Sequence, residues 1–205
     1  MRTKKAKSIS VLILSLVLVL TACGSKPAGS STENKAEETT EEDGGSQASK
    51  TVFGTFESKT LDGEDVSQDI FSKADLTMVN IWGTFCGPCI KEMPELGELS
   101  RQYADKGVQI VGICTDAVNS DGEVLADVVE TAKEDIQDTG ADYLHLVPTG
   151  EIFTDLLPRV SAVPTTIFVD ESGRQIGLAD MGARDKDTWI QVIEEKLAEA
   201  GSEEQ

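Results

Sequence analysis

The chain predicts an α/β layered domain with a mixed central sheet flanked by helices. Two observations carry this. Apolar runs of strand length alternate with segments whose apolar residues recur at helical spacing, and the series closes on a hairpin and a last helix. Of the 205 residues, the stretch 51–201 forms this domain, long enough for one good core, with 202–205 as a tail.

The elements follow in order. Phe53 to Lys59 and Asp65-Val66 flank the turn residues Leu61-Asp62-Gly63-Glu64, which predicts an N-terminal hairpin. Leu76 to Trp82 reads as a buried strand. Ile90, Met93, Leu96, Leu99 and Tyr103 recur at helical spacing, and Gly107 closes that helix. Val108 to Cys114 is a second buried strand. Val124, Leu125, Val128, Val129, Ala132 and Ile136 mark an amphipathic helix stopped at Gly140. Tyr143 to Val147 reads as a third strand, and a short helix follows near Glu151 to Leu157. Thr165 to Val169 and Gln175 to Ala179 predict a hairpin around Glu171-Ser172-Gly173. Trp189, Ile190, Ile193 and Leu197 lie along a last helix.

Ahead of the domain the chain reads as an address and a tether. Arg2, Lys4, Lys5 and Lys7 precede the mostly apolar run Ile9 to Ala22, which is too short to span a bilayer comfortably and reads as a signal peptide over 1–22. The run ends in Leu20-Thr21-Ala22-Cys23-Gly24, which resembles a bacterial lipobox; that resemblance implies lipidation of Cys23 and an extracytoplasmic protein anchored to the cell membrane. The rest of 23–50, rich in Ser, Thr, Gly, Glu, Lys and Ala, has too little apolar surface to offset its ordering entropy and is expected to be a disordered tether. Such a length of flexible chain reaches roughly 25–30 Å.

The net charge is −19, and −23 once the four basic residues of 1–22 are removed. So acidic a protein is a poor partner for nucleic acid or an anionic lipid surface. With His145 as the only histidine, histidine-based hydrolase and metal chemistries are disfavoured. His145 alternates with Tyr143 and Val147 and reads as a packed or edge residue.

The chemistry lies in "NIWGTFCGPCIKEMP", Asn80 to Pro94. Its two cysteines allow a reactive dithiol, half of a zinc site or a structural disulfide. A thiolate is the nucleophile, and a helix N-terminus stabilises it through free N–H groups and a partial positive charge. Pro88 suits the first helical turn, where its missing N–H is not needed. The two-residue spacer lets Cys89 reach Cys86 sulfur, so the pair can close and reopen, with Cys86 as the exposed attacker and Cys89 as the resolving thiol. A zinc site would have to recruit Cys114 and His145, which sit on separate strands rather than on a second compact ligand turn. A purely structural Cys86–Cys89 bridge closes too short a loop to restrain the unfolded chain much. Cys114 reads as a small buried hydrophobe, with transient pairing to the dithiol as the alternative.

"NIWGTFCGPC" resembles the active-site motif of the thioredoxin superfamily, and "IKEMP" resembles its extracytoplasmic TlpA/ResA-like thiol–disulfide oxidoreductase branch. "SAVPTTIFVDESGRQIG" is similar to the family's proline loop and hairpin, with Val163-Pro164 at the cis-proline. The helix and strand from about Val124 to Val147 resemble the branch's insertion into the thioredoxin-like fold, and the N-terminal hairpin agrees. The resemblance implies an enzyme that reduces protein disulfides through a mixed disulfide at Cys86, with no cofactor and no metal. It implies that Val163 and Pro164 bind the client's main chain, and that Trp82 and Phe85 flank the pair on the substrate side, although core packing explains Trp82 equally well. The buried aspartate of thioredoxin is replaced by Asn80; Glu92, one helical turn beyond Cys89, matches a glutamate of this branch and is expected to move the proton of Cys89. The implied partners are a disulfide-bearing protein client, such as an apocytochrome c or a methionine sulfoxide reductase, and a membrane thiol electron donor of the CcdA type. The rival readings are a peroxiredoxin-like thiol peroxidase and a redox-inert binding module on the same fold. The peroxidase motif needs a proline upstream and Thr or Ser three residues before the cysteine, whereas Thr84 stands two before Cys86.

Overall fold

A computed structural model of the protein describes residues 52–202, so the expected signal peptide, Cys23, the tether and most of the tail lie outside the described residues. The first hairpin pairs β1 (Glu57–Thr60) with β2 (Asp65–Ser67), antiparallel around Gly63, whose φ of 86° favours a residue without a Cβ. Phe53 and Phe56, expected to open this hairpin as strand, precede β1 and face inward instead, stacked in tilted and edge contacts with Phe71 of a 3-10 helix, Gln68–Lys73. That helix has no signal in the apolar spacing; Ser67 caps it by accepting from Asp69 N.

The centre of the sheet is β3 (Leu76–Trp82) and β4 (Val108–Cys114), parallel and paired from Leu76 with Val108 to Trp82 with Cys114. Both occupy the bounds expected from their apolar runs. Every residue of β3 is buried, which explains an unbroken run rather than an alternating one: both faces of the strand are covered. β5 (Leu144–Val147) lies parallel to β4, and β6 (Thr165–Asp170) and β7 (Asp180–Met181) add antiparallel strands beyond β3, giving the order β2-β1-β5-β4-β3-β6-β7.

Among the described residues, the α-helices α1 (Gly87–Tyr103) and α2 (Ala126–Thr139) stand between strands, and α3 (Lys186–Ser202) follows β7. Leu96, Leu99 and Tyr103 of α1 and Trp189 and Ile193 of α3 pack with Leu76, Met78 and Phe168 on one face. Val79, Ile81, Val111, Ile113, Ile167 and Val169 point to the other face, closed by Phe53, Phe56, Ile70, Phe71, Ile152 and Leu156. The period of two along β3 therefore divides its side chains between the two faces of the sheet, with Trp82 at its end entering a third cluster. Among the described residues no helix is long and apolar enough to cross a membrane.

Three expected elements are redrawn. α2 starts at Ala126, not Val124; Val124 bridges Val118 and Leu125 N donates to Ala117 O, closing a small hairpin whose loop is held by Asn119 Oδ1 accepting from Asp121 N and Glu123 N. The arm expected at Gln175 to Ala179 makes one bridge, Gln175 to Val169, then turns out at left-handed Gly177 and rejoins the sheet as β7. The helix expected near Glu151 to Leu157 is a π-helical turn, Ile152–Leu156, running into a 3-10 turn, Leu157–Arg159.

α1 is docked on the chain leaving α2 by backbone contact. A Cβ at Gly97 would lie 2.3 Å from Gly140 O, closer than atoms approach, and Arg101 guanidinium donates to the same carbonyl at 3.1 Å and to Asp142. Only glycine at 97 admits this approach.

Candidate active site

β3 ends at Trp82 and the chain turns at once into α1, with Cys86 N donating to Gly83 O at 3.0 Å. Cys86 is the N-cap of α1 in an extended conformation, Pro88 occupies the first turn, and Cys86 Sγ accepts from Cys89 N at 3.2 Å. Sulfur thus stands where a capping oxygen usually does. Cys86 and Cys89 form a disulfide with Cα atoms 5.2 Å apart, within the range such bonds need. The free N–H groups and positive end of α1 point at the Cys86 sulfur and favour its thiolate once the bond opens.

Cys86 is less open than an exposed attacker: it is 5% exposed and Cys89 is 1% exposed. Both sit in a cluster with Trp82, Met93, Cys114 and Val147. Trp82 has no exposed surface, so it lies beneath the disulfide instead of against a substrate; β3 is buried to its last residue, and the chain reaches the surface only after Gly83. Phe85 does reach it, 71% exposed. The Val163–Pro164 peptide is cis. Val163 packs against the cluster that holds both cysteines, Pro164 is buried, and Pro164 O accepts from Gly182 N at 2.9 Å, tying the proline loop to the strand end beyond β7.

Asn80, at the place of thioredoxin's aspartate, is buried and donates from Nδ2 to Thr166 Oγ1 at 3.2 Å across β3 and β6. It is a strand-to-strand tie. Glu92 is 3% exposed. Its Oε1 accepts from Arg184 N at 3.0 Å and from Trp189 Nε1 at 2.5 Å, whereas Oε2 has no hydrogen-bond partner among the described residues. Burial raises its pKa above the ordinary carboxylate range, against the lowering pull of those two bonds. A cleft of about 560 Å³, lined by Pro88, Lys91, Glu92, Glu95, Arg184 and Asp185, opens beside it.

Beneath the pair, Trp82 Nε1 donates to His145 Nδ1 at 3.2 Å, and His145 Nε2 lies 2.9 Å from Ala141 O. These contacts match a neutral ring protonated at Nε2, and burial lowers the pKa of His145 to about 4. Both ring nitrogens are engaged, and the ring also stacks on Tyr143 at 4.3 Å between centroids. Cys114 is buried; desolvation first, then the neighbouring Asp116 charge, push its thiol pKa well up. The sequence offered no signal for Arg184 and Trp189 as partners of Glu92, since they lie 92 and 97 residues away.

Comparison with known proteins agrees with this geometry. The Redoxin family model matches residues 45–179. The chain is 33% identical over 124 residues to the thioredoxin-like protein YneN of Bacillus subtilis, covering 58% of this chain and 63% of that protein. It is 35% identical over 117 residues to the thiol-disulfide oxidoreductase ResA of Oceanobacillus iheyensis, covering 54% of each. The matched stretch thus spans somewhat under two thirds of these relatives. Among solved structures, a thioredoxin-family thiol:disulfide interchange protein of Chlorobium tepidum has a TM-score of 0.57 at 23% identity, over 70% of this chain and 93% of that one. A DsbF homologue of Corynebacterium diphtheriae has a TM-score of 0.56 at 22% identity, over 70% and 85%. These two share the fold. A chain with this sheet, this capped cysteine pair and this cis-proline loop, matched over most of its domain by the family model, belongs to the redoxin family and is a ResA-like member of the thioredoxin superfamily.

Proposed function

We propose that the protein is a membrane-anchored, extracytoplasmic thiol–disulfide oxidoreductase that reduces protein disulfides. The observation that carries this is the Cys86–Cys89 disulfide at the N-terminus of α1, with Cys86 as the capping residue and Val163 packed on the same cluster. In the reduced protein the Cys86 thiolate attacks a client disulfide, the client's first sulfur leaves as a thiolate and takes up a proton, and a mixed disulfide forms. Cys89, its proton passed to Glu92, then attacks Cys86 Sγ; the client leaves with both thiols and the domain keeps the disulfide. The raised pKa and unpartnered Oε2 of Glu92 support its part as proton acceptor. No cofactor enters, since electrons pass through sulfur. Val163 and Pro164 hold the client's extended main chain, and Phe85 packs on its side chains.

Cys23 carries the lipid in this reading, and residues 24–50 form the tether. A membrane dithiol donor of the CcdA type, supplying two electrons per turnover, returns the pair to its reduced form; an apocytochrome c or a methionine sulfoxide reductase is the client. The test uses Cys89→Ser in the full chain. Incubated with a disulfide-bonded protein, it accumulates a mixed disulfide through Cys86, visible by mass and released by dithiothreitol. If the wild type never turns over a protein disulfide and Cys89→Ser traps none, the oxidoreductase reading fails and an inert module on the same fold replaces it.

A further inference from the structure

The segment that delivers Cys86 is gripped from the turn that follows the neighbouring strand β4. Asp116 lies just beyond β4, whose last residue, Cys114, sits beside Trp82 in the sheet. Asp116 Oδ1 accepts from Thr84 N at 3.0 Å, and Oδ2 accepts from the Thr84 hydroxyl at 2.5 Å. The Cys114 thiol donates to Oδ1 at 3.3 Å, and Thr115 Oγ1 donates to Trp82 O at 2.9 Å. Residues 82 and 84 are therefore both tied to 115–116, while the backbone bond from Cys86 to Gly83 closes the turn between them and the helix. Gly83 is part of the same fitting: a Cβ there would lie 2.6 Å from Phe85 Cε1 and 3.1 Å from Asp116 Oδ1. A side chain at 83 would have to displace the Phe85 ring and press on the carboxylate.

We infer that Asp116 is a positioning residue for disulfide exchange, holding the turn from Gly83 to Cys86 so that Cys86 keeps its place as the cap of α1 and Phe85 its outward pose. Two bonds from one side chain to the N–H and O–H of a single residue fix that residue's backbone and rotamer together, as an isolated hydrogen bond does not. With the turn fixed, Cys86 Sγ keeps the N–H of Cys89 within reach, the contact that stabilises its thiolate. The inference rests on the reading of Cys86 as the attacking thiol. It goes beyond that reading in assigning a residue from the turn after β4 to the placement of the nucleophile.

Two variants separate grip from charge. In Asp116→Asn the amide oxygen accepts from Thr84 N and the amide N–H donates to Thr84 Oγ1, so the grip is kept and the charge lost. In Asp116→Ala both are lost. The charge of Asp116 also reaches Asp135 of α2 and the Cys114 thiol, so the comparison is made between these two variants, in which that charge is equally absent. Reduced full-length protein is alkylated with iodoacetamide across pH, Cys86 is followed by peptide mass, and melting temperatures are recorded alongside.

We expect Cys86 in Asp116→Ala to react about fivefold more slowly at neutral pH than in Asp116→Asn, with a higher apparent pKa, the scale of a weakened helix cap. Thr84→Val, which loses one bond and keeps the charge, is expected to shift in the same direction from wild type. Equal rates and pKa values in the Asn and Ala variants overturn the inference, even if their melting temperatures differ. Should Asp116→Ala not fold, Thr84→Val decides: a Cys86 rate and pKa equal to wild type overturn it. A wild-type Cys86 that titrates as an ordinary unreactive thiol would instead sink the oxidoreductase reading, a separate outcome.

Discussion

Glu92 and Asp170 are both buried carboxylates, one in the helix that carries the cysteines and one at the far end of β6. Asp170 pairs with Leu76 at the start of β3, whereas the cysteine turn follows the strand's other end. Asp170 Oδ1 accepts from Ser172 N, Ser172 Oγ and Arg174 N, and Oδ2 from Arg174 Nε at 2.7 Å. Burial would raise its pKa, but those bonds outweigh burial and lower it. Glu92 is buried more deeply, 3% exposed against 9%, keeps one oxygen without a partner among the described residues, and has its pKa raised, first by burial. The difference lies in depth and in completeness together. A fully bonded carboxylate holds a turn in its charged form; a half-bonded one is poised to take a proton.

The largest test of that contrast is Asp170→Ala. Removing a charged acceptor from four donors should cost about 3 kcal/mol, measured by denaturant unfolding, and leave the alkylation rate of Cys86 unchanged. Loss of thiol reactivity together with stability would erase the distinction. Glu92→Gln should do the reverse: the release of a mixed disulfide by Cys89 slows by roughly 10- to 100-fold near neutral pH, while stability changes little. An unchanged pH profile for that step would leave Glu92 a buried structural residue.

Stability against pH sharpens the contrast further, because the signs are opposite. The folded pKa of Asp170 is depressed, so its contribution is present above the unfolded carboxylate value and is lost as pH falls through the folded one. The folded pKa of Glu92 is raised, so its contribution is full below the unfolded value, near 4.5, and is lost as pH rises through the folded one. Unfolding curves of Asp170→Asn and Glu92→Gln, each subtracted from wild type, should slope in opposite directions with pH. His145 gives the smallest effect at neutral pH. Its folded pKa is lowered from 6.5 to about 4, so the unfolded chain binds the proton first and stability drops as pH falls across that window. His145→Gln should flatten that part of the curve.

Much of this was legible in the chain. β3 and β4 have the bounds of their apolar runs because strands buried on both faces must be apolar throughout, and the cysteines could be put at a helix start because Gly87-Pro88 admits little else. Legibility ended where contacts join distant parts. Trp189 and Arg184 meet Glu92 only because α3 packs beside α1, and no local spacing encodes that. Val124 and Leu125 keep the apolar step of α2, although their backbone is spent on a hairpin with Ala117 and Val118. Trp82 was ambiguous between surface and core because its neighbours Gly83 and Thr84 leave both open; packing decided it.

The seat of Gly97 on Gly140 has a mechanical consequence. A helix with backbone pressed on backbone, and the same carbonyl held by Arg101, has no slack to slide or tilt. The turn ahead of it is held as well, by Asp116 on Thr84 and by Thr115 on Trp82 O. When the sulfurs part, the movement is therefore left to the two cysteine side chains on a fixed seat, and exchange reactivity would be tuned more readily by substitutions that loosen that seat than by any along the helix.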